Sequence, residues 1–208
     1  MRIWRLIAVL VTSALLFGNS ARAADEKTLE TAIFAGGCFW CVESDFDSVP
    51  GVVETVSGYT GGRTPNPTYR EVAGKGTGHR EAVRIKYDPA VVSYEMLLTA
   101  FWRSVDPTDA GGQFCDRGEP YYSAIFVLGA DQREAAEASQ KAAEADLAKK
   151  TATTIEDASI FYPAEDYHQD YYLKKPLQYK FYRWRCGRNE RVQDVWGKQA
   201  YTGIPGHS

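Results

Sequence analysis

The sequence predicts a two-layer α+β (or α/β) domain, a single sheet with helices packed against it. Three observations point there. Short apolar or alternating segments interleave along the chain with segments whose apolar residues recur every three or four positions. Glycine and proline punctuate the boundaries between them. No internal repeat and no low-complexity linker interrupts the 208 residues.

The first strand is expected at residues 31–35, Thr-Ala-Ile-Phe-Ala, bounded by Gly36-Gly37. Phe39, Val42, Phe46 and Val49 then recur at helical spacing until Pro50-Gly51 stops the pattern. A second strand is expected at 52–59. It leads into a glycine- and proline-rich loop that runs from Gly58 to Tyr69. A further glycine-rich loop, Gly74-Lys75-Gly76-Thr77-Gly78-His79, enters a strand at 80–87. Because it leads into a strand instead of a helix N-terminus, it is not a phosphate loop. Ser93 caps a helix with apolar positions Tyr94, Leu97, Leu98, Phe101, Trp102 and Val105, ended by Asp106-Pro107. Residues 122–128 read as a nearly all-apolar strand. Asp131 with Glu134 reads as a capping box for a helix to Lys149, with Ala135, Ala138, Ala142 and Ala145 on its inner side. A short strand is expected at 153–155, and from Phe161 the chain becomes aromatic and irregular.

The ends and the charge narrow the function classes. Arg2 and Arg5 precede an almost wholly apolar run at 6–17, and Ala21-Arg22-Ala23 follows. This is the pattern of a cleaved secretory signal peptide, residues 1–23, with cleavage after Ala23. The run is shorter than the ~20 residues of a comfortable span, so a retained anchor is the weaker reading. No later segment is long and apolar enough to cross a bilayer. Residues 24–208 then form one domain with a core at about 31–196, exported to the periplasm or secreted. All 27 acidic residues lie beyond Ala23, while three of the 24 basic ones precede it, leaving a formal charge of −6. Nucleic acid, or an anionic membrane as the main partner, is disfavoured. The basic and aromatic run at 179–185 is therefore read as an amphipathic packing segment.

The residues that could carry chemistry begin with Cys38. It follows Gly36-Gly37 at a strand-to-helix turn, where a helix N-terminus favours a thiolate, the nucleophilic form of cysteine. A buried structural thiol would need no paired glycines before it. Four cysteines, Cys38, Cys41, Cys115 and Cys186, are too few for a disulfide scaffold. A zinc site would call for a second close pair, which Cys115 and Cys186 do not form. Glu81 shares a strand face with Val83, Ile85 and Tyr87, so its carboxyl is desolvated and suited to donate a proton. Tyr69, Asp116 and Tyr121 could bind an oxygen and help it leave as water. His79 and His168 are candidate bases, although a lone loop histidine is usually solvated.

Gly37-Cys38-Phe39-Trp40, Gly58-Tyr59-Thr60-Gly61-Gly62, Asn66-Pro67-Thr68-Tyr69, Gly78-His79-Arg80-Glu81-Ala82-Val83 and Ala164-Glu165-Asp166-Tyr167-His168-Gln169 together resemble the peptide methionine sulfoxide reductase A family. The motifs run in the family's order from about Thr31 to Trp196. The resemblance implies a mixed domain with a ferredoxin-like core. It also implies reduction of the S epimer of methionine sulfoxide, free or in proteins, each epimer having its own enzyme. Cys38 then matches the nucleophile and Glu81 the acid. Tyr69, Asp116 and Tyr121 match the polar side of the pocket, and Phe39 and Trp40 match the wall that receives the substrate methyl. The implied enzyme uses no metal or organic cofactor, takes electrons from a thioredoxin-like protein, and is expected as a monomer without a stable membrane anchor.

The sulfenic acid left on Cys38 must be resolved by a second thiol. Cys41 is preferred, since a C-x-x-C pair on the first helical turn can close. Cys186 is the rival, or a relay, and Cys115 is expected to be a bystander. A thioredoxin-like protein would carry tryptophan before its first cysteine, whereas Trp40 lies inside the pair. A non-catalytic aromatic-lined binding module is the alternative from another class; it would function without Cys38.

Overall fold

The computed structural model describes residues 28–206. The expected signal peptide lies outside the described residues. In chain order the elements are β1 (Glu30–Ala35), α1 (Phe39–Asp47), β2 (Val52–Thr60), α2 (Tyr69–Ala73), β3 (Arg80–Tyr87), α3 (Tyr94–Trp102), β4 (Gly112–Gln113) and β5 (Asp116–Arg117). They continue with a 3₁₀ turn (Glu119–Tyr121), β6 (Ala124–Val127), α4 (Ala130–Leu147), β7 (Thr154–Asp157), β8 (Tyr162–Pro163), α5 (Tyr171–Lys174), α6 (Pro176–Arg185), α7 (Arg188–Trp196) and a last 3₁₀ turn (Gly197–Gln199).

Six strands form one mixed sheet in the order β7-β6-β1-β3-β2-β8. Strand β1 runs antiparallel to β3 and β6, and β2 antiparallel to β3 and β8, while β6 and β7 are parallel. The inner four strands with α1 and α3 make a β-α-β-β-α-β unit, the ferredoxin-like arrangement. On one sheet face, Phe34, Val83, Ile85 and Tyr87 pack with Phe46 of α1 and Leu97, Leu98 and Phe101 of α3, all essentially without solvent exposure. Ile33, Ala35, Ala82, Ala124 and Phe126 form the smaller opposite cluster, covered by Ala158 and Phe161. The core runs past Trp196 to Tyr201 and Ile204.

Strand β3 has the predicted bounds, and β1 and β2 differ from theirs by one residue. Ser93 caps α3 by accepting the Met96 N–H. Helix α4 departs from expectation. Its N-cap is Gly129, with no Asp131–Glu134 capping box. Gln132 instead accepts the Leu128 N–H and donates to the Thr31 carbonyl, tying the helix start to β1. The buried alanines are Ala136 and Ala143, whereas Ala138, Ala142 and Ala145 face solvent. The helix is set by Ser139, which accepts the Trp102 indole N–H at 2.9 Å. The aromatic stretch from Phe161 to Tyr172, expected to be irregular, holds only the short β8 and the start of α5; the run at 179–185, read as an amphipathic packing segment, lies in α6, and α7 follows.

Candidate active site

The turn between β1 and α1 presents Cys38 at the N-cap of α1. Gly37 has φ +82°, and a Cβ there would lie 2.5 Å from Gln113 Cβ, so a glycine is required twice over. From the core side, the buried Arg188 guanidinium donates to the Gly36 carbonyl at 3.0 Å and to the Ser104 carbonyl at 2.9 Å. Gly62 belongs to the glycine loop for a similar steric reason: a Cβ would meet His79 N at 2.4 Å.

Strand β3 places Glu81 beneath this turn, 2% exposed. One carboxylate oxygen accepts the Phe39 N–H at 3.0 Å. Burial pushes the Glu81 carboxyl up to about 8, against the pull of that N–H, with Asp116 raising it further. The group is therefore a protonated acid at neutral pH.

Cys38, Phe39, Trp40, Tyr69, Glu81, Asp116, Tyr121 and Tyr182 line one cavity of about 250 Å³. These residues come from α1, α2, β3, β5, a 3₁₀ turn and α6. The cavity gathers Cys38, Glu81, Tyr69, Asp116, Tyr121, Phe39 and Trp40 from the sequence-derived candidates, but neither candidate base, His79 or His168. Tyr69 opens α2 instead of lying in a loop. Thr68 caps that helix in a capping box with Glu71, and the Tyr69 N–H is held by Glu165 at 2.9 Å. Tyr121 hydrogen-bonds Tyr69, whose phenol burial pushes up to about 12. Burial raises Tyr121 too, so both phenols stay protonated donors. Burial likewise raises the Asp116 carboxyl, against the Tyr182 hydroxyl that donates to it.

Tyr182, read in the sequence only as part of a packing segment, joins the cavity wall. Both histidines depart from the solvated expectation, since His79 is 1% and His168 2% exposed. His79 accepts the Gly62 N–H and bonds the Thr64 carbonyl, which gives it a structural place in the glycine loop. His168 accepts the Trp40 indole N–H at 3.0 Å and packs against Phe39, Tyr69 and Tyr167. Trp40 stacks on Tyr171 with ring centroids 3.8 Å apart. The aromatic wall is thus held rigid from behind.

The cysteines divide into two pairs. Cys38 and Cys41 are free thiols, both buried, and share a hydrogen bond. Burial, with Cys41, Glu81 and Asp116 around it, pushes the Cys38 thiol up. Cys41 is lowered to about 7 by its hydrogen bond from Cys38, with Arg188 and Arg183 adding to that against burial. The helix end alone does not set the nucleophile; the negative charge of the pair rests toward Cys41 until Cys38 gives up its proton. Cys115 is disulfide-bonded to Cys186 across 71 residues. The expectation of a bystander Cys115 is corrected: the hairpin β4–β5 brings it to the C-terminal end of α6.

The family model described as "Peptide methionine sulfoxide reductase" matches residues 30–200. The chain belongs to the peptide methionine sulfoxide reductase family. "Peptide methionine sulfoxide reductase MsrA 2" of Rhizobium meliloti (strain 1021) is 53% identical over 199 residues, covering 96% of this chain and 97% of that one. "Peptide methionine sulfoxide reductase MsrA" of Bacillus licheniformis is 53% identical over 172 residues, 82% of this chain and 95% of that one. Among solved structures, methionine sulfoxide reductase A of Corynebacterium diphtheriae superposes with TM-score 0.64 at 37% identity, over 72% of this chain and 76% of that one. Reduced Mxr1 from Saccharomyces cerevisiae gives 0.68 at 32% identity, over 73% and 88%. Mxr1 in complex with Trx2 gives 0.51 at 21% identity, over 73% and 91%, a likeness of fold. The protein is a peptide methionine sulfoxide reductase, and the cavity beside Cys38 is its candidate active site.

Proposed function

We propose that the reductase acts on the S epimer of methionine sulfoxide, free or in proteins, through a sulfenic acid on Cys38. The observation that carries this reading is Glu81, buried in one aromatic-lined cavity with Cys38 and pushed up to about 8 by that burial. The Cys38 sulfur attacks the sulfoxide sulfur, its proton passing to Cys41. As the S–O bond weakens the oxygen becomes basic, and Glu81 protonates it while Tyr69 and Tyr121 donate to the developing charge. Methionine leaves and Cys38 holds the oxygen as sulfenic acid. Phe39 and Trp40 receive the methyl group.

Cys41 is the resolving thiol in this reading, because it already hydrogen-bonds Cys38. Its sulfur forms the Cys38–Cys41 disulfide and the oxygen departs as water. Cys186 then acts with Cys115 as a relay. Their dithiol reduces the Cys38–Cys41 disulfide and becomes the Cys115–Cys186 disulfide, whose Cys115 is exposed to solvent. A thioredoxin-like dithiol outside the protein reduces that disulfide in turn; Mxr1, with the same fold, has been solved in complex with Trx2. Export, followed by repair of oxidised exported proteins, is proposed on the charged start, apolar run and Ala21-Arg22-Ala23 of the sequence.

The test is reduction of a methionine S-sulfoxide substrate by dithiothreitol with wild type and Cys38→Ser. Turnover is expected to vanish in the variant, and surviving turnover sinks the mechanism. Mass spectrometry after one turnover of the pre-reduced enzyme is expected to find Cys38 bridged to Cys41. A Cys38–Cys186 bridge would transfer the resolving role. N-terminal sequencing of the secreted fraction checks cleavage after Ala23.

A further inference from the structure

Helix α6 has two faces of opposite use. Tyr179 and Arg183 are buried, and Tyr182 reaches the active-site cavity. Leu177, Phe181 and Trp184, spaced i, i+4 and i+7, turn outward with 79%, 58% and 69% of their surface exposed. Leu173 on the adjoining α5 is 64% exposed. The Phe181 and Trp184 rings lie 5.9 Å apart. An apolar stripe of this kind on a folded surface marks an interaction site.

Charge tells what would cover it. Residues 171–188 hold Lys174, Lys175, Lys180, Arg183, Arg185 and Arg188 and no acidic residue, in a chain that is otherwise acidic. Arg183 and Arg188 are consumed inside the protein, by Asp45. The other four are exposed; Lys174 lies 3.9 Å from Asp170 and Glu190 borders the groove beside Lys180 and Trp184, which leaves Lys175, Lys180 and Arg185 to set the sign of the face. At roughly 100° per residue, Lys180 lies to one side of the Leu177–Phe181–Trp184 stripe and Arg185 to the other.

We propose that this face of α5 and α6 is a peripheral docking site for an anionic lipid surface. Leucine, phenylalanine and tryptophan would enter the boundary between headgroups and acyl chains, and the flanking lysines and arginine would meet lipid phosphates. The negative charge of the whole chain argues against membranes only when it is spread evenly, and here it is not. Two other occupants fit less well. A second copy in a two-fold contact would set this cluster of exposed cations against itself. A redox donor must reach the Cys115–Cys186 disulfide, and Cys186 follows Leu177 by nine residues, about half a turn out of phase. The stripe thus faces away from the disulfide, and a docked enzyme keeps both its pocket and its disulfide open to solvent.

Flotation of the full chain with phosphatidylglycerol–phosphatidylcholine vesicles, against phosphatidylcholine alone, tests this. The apolar run at 6–17 is present in every protein compared, so differences between variants report on α6. Wild type is expected to prefer the anionic vesicles. Leu177→Ser/Phe181→Ser/Trp184→Ser and, separately, Lys180→Glu/Arg185→Glu should each lower that partitioning by about ten-fold or more. Both should still reduce free methionine sulfoxide at the wild-type rate, which certifies their folding. Equal flotation of wild type and the triple-serine variant, or no preference for anionic lipid, overturns the proposal. So does a dimer in sedimentation that the triple-serine variant abolishes without changing flotation, which would assign the face to a second copy. Slower turnover of that variant with a thioredoxin-like donor, flotation unchanged, would assign it to the donor.

Discussion

Glu81 holds the start of α1 through the Phe39 N–H and is the acid of the proposed reaction. A charged carboxylate accepting an N–H at a helix N-terminus is normally favoured. Here desolvation outweighs that, and the group titrates at about 8 instead of near 4.5. Folding therefore binds a proton that the unfolded chain releases above about pH 4.5, and the stability this site contributes at low pH is lost progressively up to pH 8. Glu81→Gln removes the penalty. It is expected to be more stable than wild type at pH 8.5 by up to about 5 kcal/mol, and no more stable at pH 4, in denaturant unfolding. The same variant should slow the single-turnover sulfoxide step by about 100-fold or more. For wild type, that step should rise with pH through about 7 as Cys41 loses its proton and fall through about 8 as Glu81 loses its own. Glu81→Gln should lose the falling limb alone, and retention of that limb in the variant would remove Glu81 from the proton transfer.

The β1–turn–α1 element is held from the core by charge as well as by the apolar contacts of Phe34, Val42 and Phe46. Asp45 of α1 meets Arg183 at 2.7 Å and Arg188 at 3.8 Å, all three buried. Arg188 also spans the Gly36 and Ser104 carbonyls and lies over the Phe114 ring. Arg188→Met keeps the bulk and loses every donor. The expected cost is about 3–5 kcal/mol in urea unfolding, with Arg188→Lys in between because an ammonium lacks the planar fork. This element also shows where the sequence speaks clearly. Strand β3 is legible to the residue because Glu81, Val83, Ile85 and Tyr87 alternate cleanly with Arg80, Arg84 and Lys86. The glycines before Cys38 announce the turn. Helices α6 and α7 are only partly legible: the run at 179–185 reads as an amphipathic packing segment, but Arg183 and Arg188, buried beside Tyr179, Val192 and Trp196, read as surface. The inner face of α4 is misread because alanine occupies every side of it, leaving a Trp102–Ser139 hydrogen bond to choose the phase.

Across the whole molecule, sequence proximity pairs Cys38 with Cys41, while the fold pairs Cys115 with Cys186. Nothing local foretells the second pair, because it exists only where the β4–β5 hairpin meets the end of α6. The same meeting brings Asp116 and Tyr182, neighbours of the two cysteines in sequence, into the cavity wall. The disulfide thus ties together two sides of the active site and also closes a loop of 71 residues. In the chain-entropy account, such a closure stabilises by about 4 kcal/mol. Cys115→Ser/Cys186→Ser should lower the urea midpoint of the oxidised protein accordingly, and should leave the reduced protein's midpoint near that of reduced wild type. Its kinetic effect separates relay from staple. As a relay, the pair is needed only after Cys38 has been resolved, so the variant should release one equivalent of methionine per enzyme at the wild-type single-turnover rate. Steady-state turnover with a thioredoxin-like donor should then fall by about ten-fold, because Cys38 and Cys41 are both buried and the donor thiolate must reach a sulfur of the disulfide they form to attack it. Dithiothreitol, small enough to enter the cavity, should restore much of the rate. Steady-state turnover that equals wild type with the protein donor would leave the disulfide a staple and send the electrons directly to Cys41.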